Sequence, residues 1–140
     1  MKQSGFFGLI LLLLVGCASQ SLSVDQRIEL YRNYVAQQEY KPITQIIGFK
    51  LHSWSYLSEE FILLSTSSVK PYLIEFRSRC RDLRFQQNII VENSGSLLTS
   101  KFDSIRLPDG IVPNCYIKNI YPLTREQADE LRELARKKPQ

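Results

Sequence analysis

The ten residues Phe6 to Val15 carry no polar side chain, and this run divides the chain before anything else is known about it. A helix that crosses a bilayer needs about 20 apolar residues, so the run is too short to span one. It has the length of the apolar segment of a secretory leader, with Met1 and Lys2 as the positive end ahead of it. Export is the first expectation, and the folded part of the chain must come from the residues beyond the leader.

The run closes as Leu14-Val15-Gly16-Cys17 and turns polar at once with Ala18-Ser19-Gln20. This segment resembles the lipobox of bacterial lipoproteins, in which an aliphatic residue and small residues precede a cysteine. The resemblance implies lipidation of the Cys17 thiol by a diacylglycerol, removal of residues 1–16 and acylation of the new amino terminus. The competing reading is an ordinary secretory leader cut after Gly16 or Ala18, with Cys17 incidental. Each buried methylene of an acyl chain stabilises membrane binding by about 0.8 kcal/mol, so several chains make an effectively permanent anchor. In lipoproteins of enteric type, Ala18 rather than Asp behind the lipid cysteine goes with export to the outer membrane. The expected location is therefore the cell envelope, on the outer membrane and facing the periplasm. Residues 17–22 would form a lipidated tether too short to cross the periplasm, and residues 23–138 a single domain.

Removal of the 16-residue leader leaves 124 of the 140 residues and, with Lys2 gone, a net charge of +3 instead of +4. That charge is too mild to point to nucleic acid. With Cys17 assigned to lipid, two thiols remain, Cys80 and Cys115, and export puts them in an oxidising compartment. One disulfide is the natural reading, and two independent buried thiols the alternative, since free cysteine also behaves as a small hydrophobe. Neither cysteine lies in a C-x-x-C motif, which disfavours a redox-active pair.

Ser23 and Gln26 fit a capping box, and Val24, Ile28, Tyr31 and Val35 recur at helical spacing, so a helix is expected from Val24 to Gln38, ended by Lys41-Pro42. Residues 43–56 read as one strand with Ile47, Phe49 and Leu51 on its buried face and a bulge near His52 and Ser53. Phe61 to Ser65 and Pro71 to Phe76 read as a hairpin. A helical turn is expected around Leu83, then strands over 88–91, 97–107 and 111–121, with Pro108-Asp109-Gly110 as the strongest turn and Pro113 marking an edge or bulge. Thr124 and Gln127 cap a terminal helix expected to run to Lys138, with Ala128, Leu131, Leu134 and Ala135 facing inward. Together these elements predict an α+β fold: a bent antiparallel sheet of about five to six strands flanked by an N-terminal and a C-terminal helix.

Across these elements the chain resembles DUF6491, a family of uncharacterised bacterial lipoproteins. The resemblance is carried by the lipobox, Arg27-Ile28-x-Leu30-Tyr31, Ser53-Trp54, Pro71-Tyr72-Leu73-Ile74, Cys80-x-x-Leu83, Phe102-Asp103-x-Ile105 and Cys115-x-Ile117-x-x-Ile120-x-Pro122-Leu123. It covers residues 24 to about 125. It implies a Cys80–Cys115 disulfide and a shared domain architecture, and it implies no activity.

The remaining chemistry is sparse. There is one His and one Met, no glycine-rich loop and no nucleophile motif, so no cofactor, metal ligand or catalytic residue is assigned. A hydrolase or transferase would have to use His52, with Asp103 as its partner, but an exposed strand histidine and an aspartate bonded to a turn or an arginine are the plainer readings. Arg77, Arg79 and Arg81 alternate, with Arg84 close by, and would project to one side of an extended segment. Such a cluster could grip anionic lipid headgroups, though a solvated face partly neutralised by Glu75 and Asp82 is the simpler account. Trp54, Tyr56 and Tyr72 could line an apolar pocket or merely pack the core. The leading expectation is a non-enzymatic, lipid-anchored domain that binds or scaffolds an envelope component, with a small-ligand carrier or a His52 hydrolase as rivals.

Overall fold

A computed structural model describes residues 21–136. Cys17 with its leader, and Lys138 at the far end, lie outside the described residues. Helix α1 (Val24–Gln37) begins at Ser23, whose hydroxyl accepts from the Gln26 N–H at 3.2 Å while the Gln26 side chain accepts from the Ser23 N–H at 2.9 Å. Helix α2 (Arg125–Leu134) begins with the same reciprocal pair at Thr124 and Gln127. Both starts are legible in the sequence because a capping box satisfies two helix-end donors from four consecutive residues.

Between the helices lie β1 (Gln45–Ile47), β2 (Ser53–Tyr56), β3 (Phe61–Ser65), β4 (Pro71–Phe76), a 3₁₀ turn (Leu83–Phe85), β5 (Ile90–Glu92), β6 (Leu97–Thr99), β7 (Ser104–Arg106) and β8 (Cys115–Pro122). Six strands form one curled antiparallel sheet in the order β2-β3-β4-β8-β7-β5, and β1 pairs with β6 as a separate ribbon. The fold is therefore α+β with a bent antiparallel sheet and a helix at each end, as the pattern predicts. The ribbon is the part that the pattern does not predict.

The sheet is covered on both faces, which is why all five residues of β3 are buried. On one face Leu57, Phe61, Leu63 and Leu73 pack against Tyr31 of α1 and Ala128 and Leu131 of α2. The Tyr31 hydroxyl donates to the Leu131 carbonyl at 2.8 Å, joining the helices over the sheet. On the other face Ile62, Leu64, Ile74, Phe76 and Ile120 meet Ile46, Phe49, Leu83, Leu98 and Ile105, so the ribbon and the 3₁₀ turn close a second core.

Three expected strands are shorter than the pattern suggests. Residues 43–56 do not form one bulged strand, because Gly48 adopts φ +70° and turns the chain between β1 and β2. The expected face is overturned with it: Ile46 is buried and Ile47 is 78% exposed, while Phe49 does reach the core. Residues 97–107 split into β6 and β7 around a turn with Lys101 at φ 73°, and the two halves join different sheets. The last strand starts at Cys115 rather than Ile111, which is exposed; Pro113, without an N–H, stands outside the ladder. The expected hairpin of β3 and β4 is present, with Leu63 opposite Leu73.

Candidate functional site

A polar cluster among the described residues centres on Glu75, half-buried near the end of β4 on the helix-covered face. Its carboxylate accepts from Lys118 Nζ at 3.0 Å, Asn119 Nδ2 at 2.8 Å and the Tyr121 hydroxyl at 3.0 Å. Three donors from one strand within four residues would normally be impossible on one face, since neighbours in a strand alternate. A bulge resolves this: Glu75 faces Asn119 and Phe76 faces Ile117, so β8 carries one extra residue, Lys118. The bulge lets adjacent Lys118 and Asn119 both reach the same carboxylate, and it puts both Ile117 and Ile120 into the opposite core.

Burial pushes the Glu75 carboxyl up, but the bonds from Asn119, Lys118 and Tyr121 outweigh it and hold the group below its ordinary range. The Tyr121 hydroxyl is pushed up to about 12, first by burial and then by the Glu75 charge beside it. Next to the cluster, a groove of about 330 Å³ runs between the end of α1 and the sheet, lined among others by Arg32, Tyr40, Phe61, Glu75, Lys118 and Tyr121. The Tyr40 ring packs 6.1 Å from that of Tyr121, and its hydroxyl is buried with no hydrogen-bond partner among the described residues. Arg32 closes one side of the groove through Glu60, at 2.6 Å. Periodicity treats Glu75 only as a counter-charge for arginines, because the bulge that gathers its donors has no mark in the sequence.

Cys80 and Cys115 are joined, with Cα atoms 5.4 Å apart and both residues in the second core. The bond ties the bend after β4 to the first residue of β8. A family model described as a family of unknown function, DUF6491, matches residues 1–139. The chain belongs to DUF6491. No curated protein and no solved structure matches it.

Asp103 is buried at the turn between β6 and β7, where its carboxylate accepts from the Thr99 N–H at 2.5 Å and its own N–H bonds the Thr99 carbonyl at 3.2 Å. That is the turn-bonded aspartate of the plainer reading. Trp54 and Tyr72 flank Leu64 on successive strands and pack on the second core, and Trp54 Nε1 donates to the Gln87 carbonyl at 3.1 Å. Tyr56 also packs against this core and borders a cavity. His52 is exposed just before β2. Its backbone N–H donates to the Ser65 carbonyl at 2.8 Å, which continues the β2–β3 pairing by one residue.

The arginines of the DUF6491 chain that alternate at 77, 79 and 81 lie past the end of β4 at Phe76, where the chain bends. Arg77 stacks on Tyr116 at 5.9 Å and donates to the Lys101 carbonyl. Arg79 pairs with Asp25 at the start of α1, 2.6 Å away, and Arg84 lies over Phe85 at 4.4 Å. Arg81 is exposed in the bend. The Glu75 carboxylate bonds Lys118, Asn119 and Tyr121 rather than these arginines.

Proposed function

We propose that this DUF6491 protein is a lipid-anchored domain of the cell envelope that holds or scaffolds an envelope component near its membrane. The observation that carries the reading is the buried Cys80–Cys115 disulfide, the kind of cross-link that forms in an oxidising compartment after export. It leaves Cys17 as the one cysteine of the sequence not in that bond, six residues ahead of the cap that opens α1. A lipidated thiol there would keep the domain within reach of the outer membrane on its periplasmic side. The groove beside Glu75, with its donors and carboxylate already set in position, is a suitable surface for a polar partner.

Metabolic labelling with radioactive palmitate tests the anchor. Label should enter the wild-type chain and be absent from Cys17→Ala, which should also keep its leader. Palmitate entering the Cys17→Ala chain refutes the anchor. Crosslinking of intact cells followed by detergent extraction and mass spectrometry then identifies the envelope component.

A further inference from the structure

The packing of α2 back along α1 brings Tyr31 to Leu131 and Arg27 to the level of Ala135 and Arg136. At that end of the helix pair lies a second cavity, of about 200 Å³, lined by Arg27, Ser55, Tyr56, Arg132, Ala135 and Arg136. Three of these residues are arginines, and none of the described lining residues is an acid.

The cavity is built before any ligand arrives. Arg27 donates its Nε to the Leu57 carbonyl, and its guanidinium sits 5.3 Å from the Tyr56 ring centre and 6.0 Å from that of Tyr31. A cation held this way loses little freedom when it binds an anion. Arg132 and Arg136 each give one Nη1 to an acid three residues earlier on α2, Asp129 at 2.6 Å and Glu133 at 2.8 Å. A guanidinium has five N–H donors, so most of each group is left for a further acceptor. Those two acids stand outside the lining and orient the arginines without filling the cavity.

Planar arginine forks around a small cavity fit the tetrahedral oxygens of a phosphate, which two or three guanidinium groups can share. The place of the cavity selects the source of the phosphate. Arg27 stands four residues past Ser23, the cap of α1, and Ser23 stands six past Cys17. Six extended residues reach at most about 20 Å, so a lipid on Cys17 would keep this end of the helix pair beside the headgroups.

We propose that the Arg27, Arg132 and Arg136 cavity binds the phosphate of an anionic lipid headgroup in the membrane that anchors Cys17. The choice of a membrane headgroup rests on the lipid-anchored reading of Cys17. The phosphate chemistry rests on the cavity alone. Such a contact would fix the orientation of the domain on its tether and turn the groove beside Glu75 toward a defined direction.

The test uses the full chain in non-ionic detergent, titrated calorimetrically with two water-soluble probes, glycerophosphoglycerol and inorganic phosphate. Glycerophosphoglycerol should bind saturably and more tightly than inorganic phosphate. Replacing two arginines of the lining, as Arg132→Gln with Arg136→Gln, should weaken it roughly tenfold or more, because charge-assisted bonds to phosphate are lost. Thermal unfolding of the double variant should match the wild type, since both side chains make only exposed pairs within α2. Arg106→Gln, which breaks the exposed pair with Glu92, should leave binding unchanged. Failure of both probes to bind, or unchanged binding in the folded double variant, overturns the site. Inorganic phosphate binding as tightly as glycerophosphoglycerol overturns the headgroup and assigns a free phosphate. Neither result depends on acylation, so palmitate labelling and titration can fail separately.

Discussion

Reduction of the Cys80–Cys115 bond is the perturbation with the most calculable effect. The two residues are separated by 35 positions, and closing a loop of that size removes unfolded-state entropy worth about 4 kcal/mol in the chain-entropy model. For a domain of this size each kcal/mol corresponds to about 4 °C, so reduction should lower the melting temperature by about 15 °C. Reduction leaves both side chains in the core, where they are 0% and 4% exposed, so the shift reports the cross-link and not a cavity. Cys80→Ala and Cys115→Ala should each reproduce that loss, plus about 1 kcal/mol for the vacated volume. The double substitution should cost little more than either single one, because the second sulfur has no bond left to lose. Thermal and urea unfolding of the full chain, with and without reductant, compare the oxidised and reduced wild type with the three variants. Additive single effects with no response to reductant would refute the argument, as would alkylation of both thiols in unfolded, unreduced protein.

Glu75 should make the fold acid-sensitive. Its folded pKa is depressed, so the stability it contributes is present above the ordinary carboxylate range and is lost as pH falls through the folded value. Glu75→Gln should flatten the loss of stability below about pH 4, and an unchanged pH profile would remove Glu75 from that account. Tyr31→Phe should cost about 1 to 2 kcal/mol in urea unfolding, because the Leu131 carbonyl loses its buried donor; a neutral result would show that water replaces it. His52→Ala should keep wild-type stability and whatever phenotype the wild-type gene complements, and loss of that phenotype at normal abundance would restore an enzymatic reading.

The parts of this fold legible in the chain are those whose physics is local or combinatorial. Ser23 with Gln26 and Thr124 with Gln127 announce both helices, because a cap is satisfied within four residues. The hairpin of β3 and β4 is legible because two apolar runs flank a short polar turn. With Cys17 set aside, pairing of Cys80 with Cys115 is the natural reading and two free thiols the alternative, and the structure joins them. Tertiary structure decides the rest. One positive φ at Gly48 and another at Lys101 divide two stretches that each read as a single strand between a sheet and a ribbon, and backbone turns of that kind leave hydropathy unchanged. The extra residue Lys118 turns an ordinary alternation into a three-donor site on Glu75. Arg27 and Arg136 are more than a hundred residues apart in sequence, and only the packing of α2 along α1 over the same sheet face sets them around one cavity. Such a meeting is fixed by long-range packing, in which each residue's partner depends on the route of the whole chain between them.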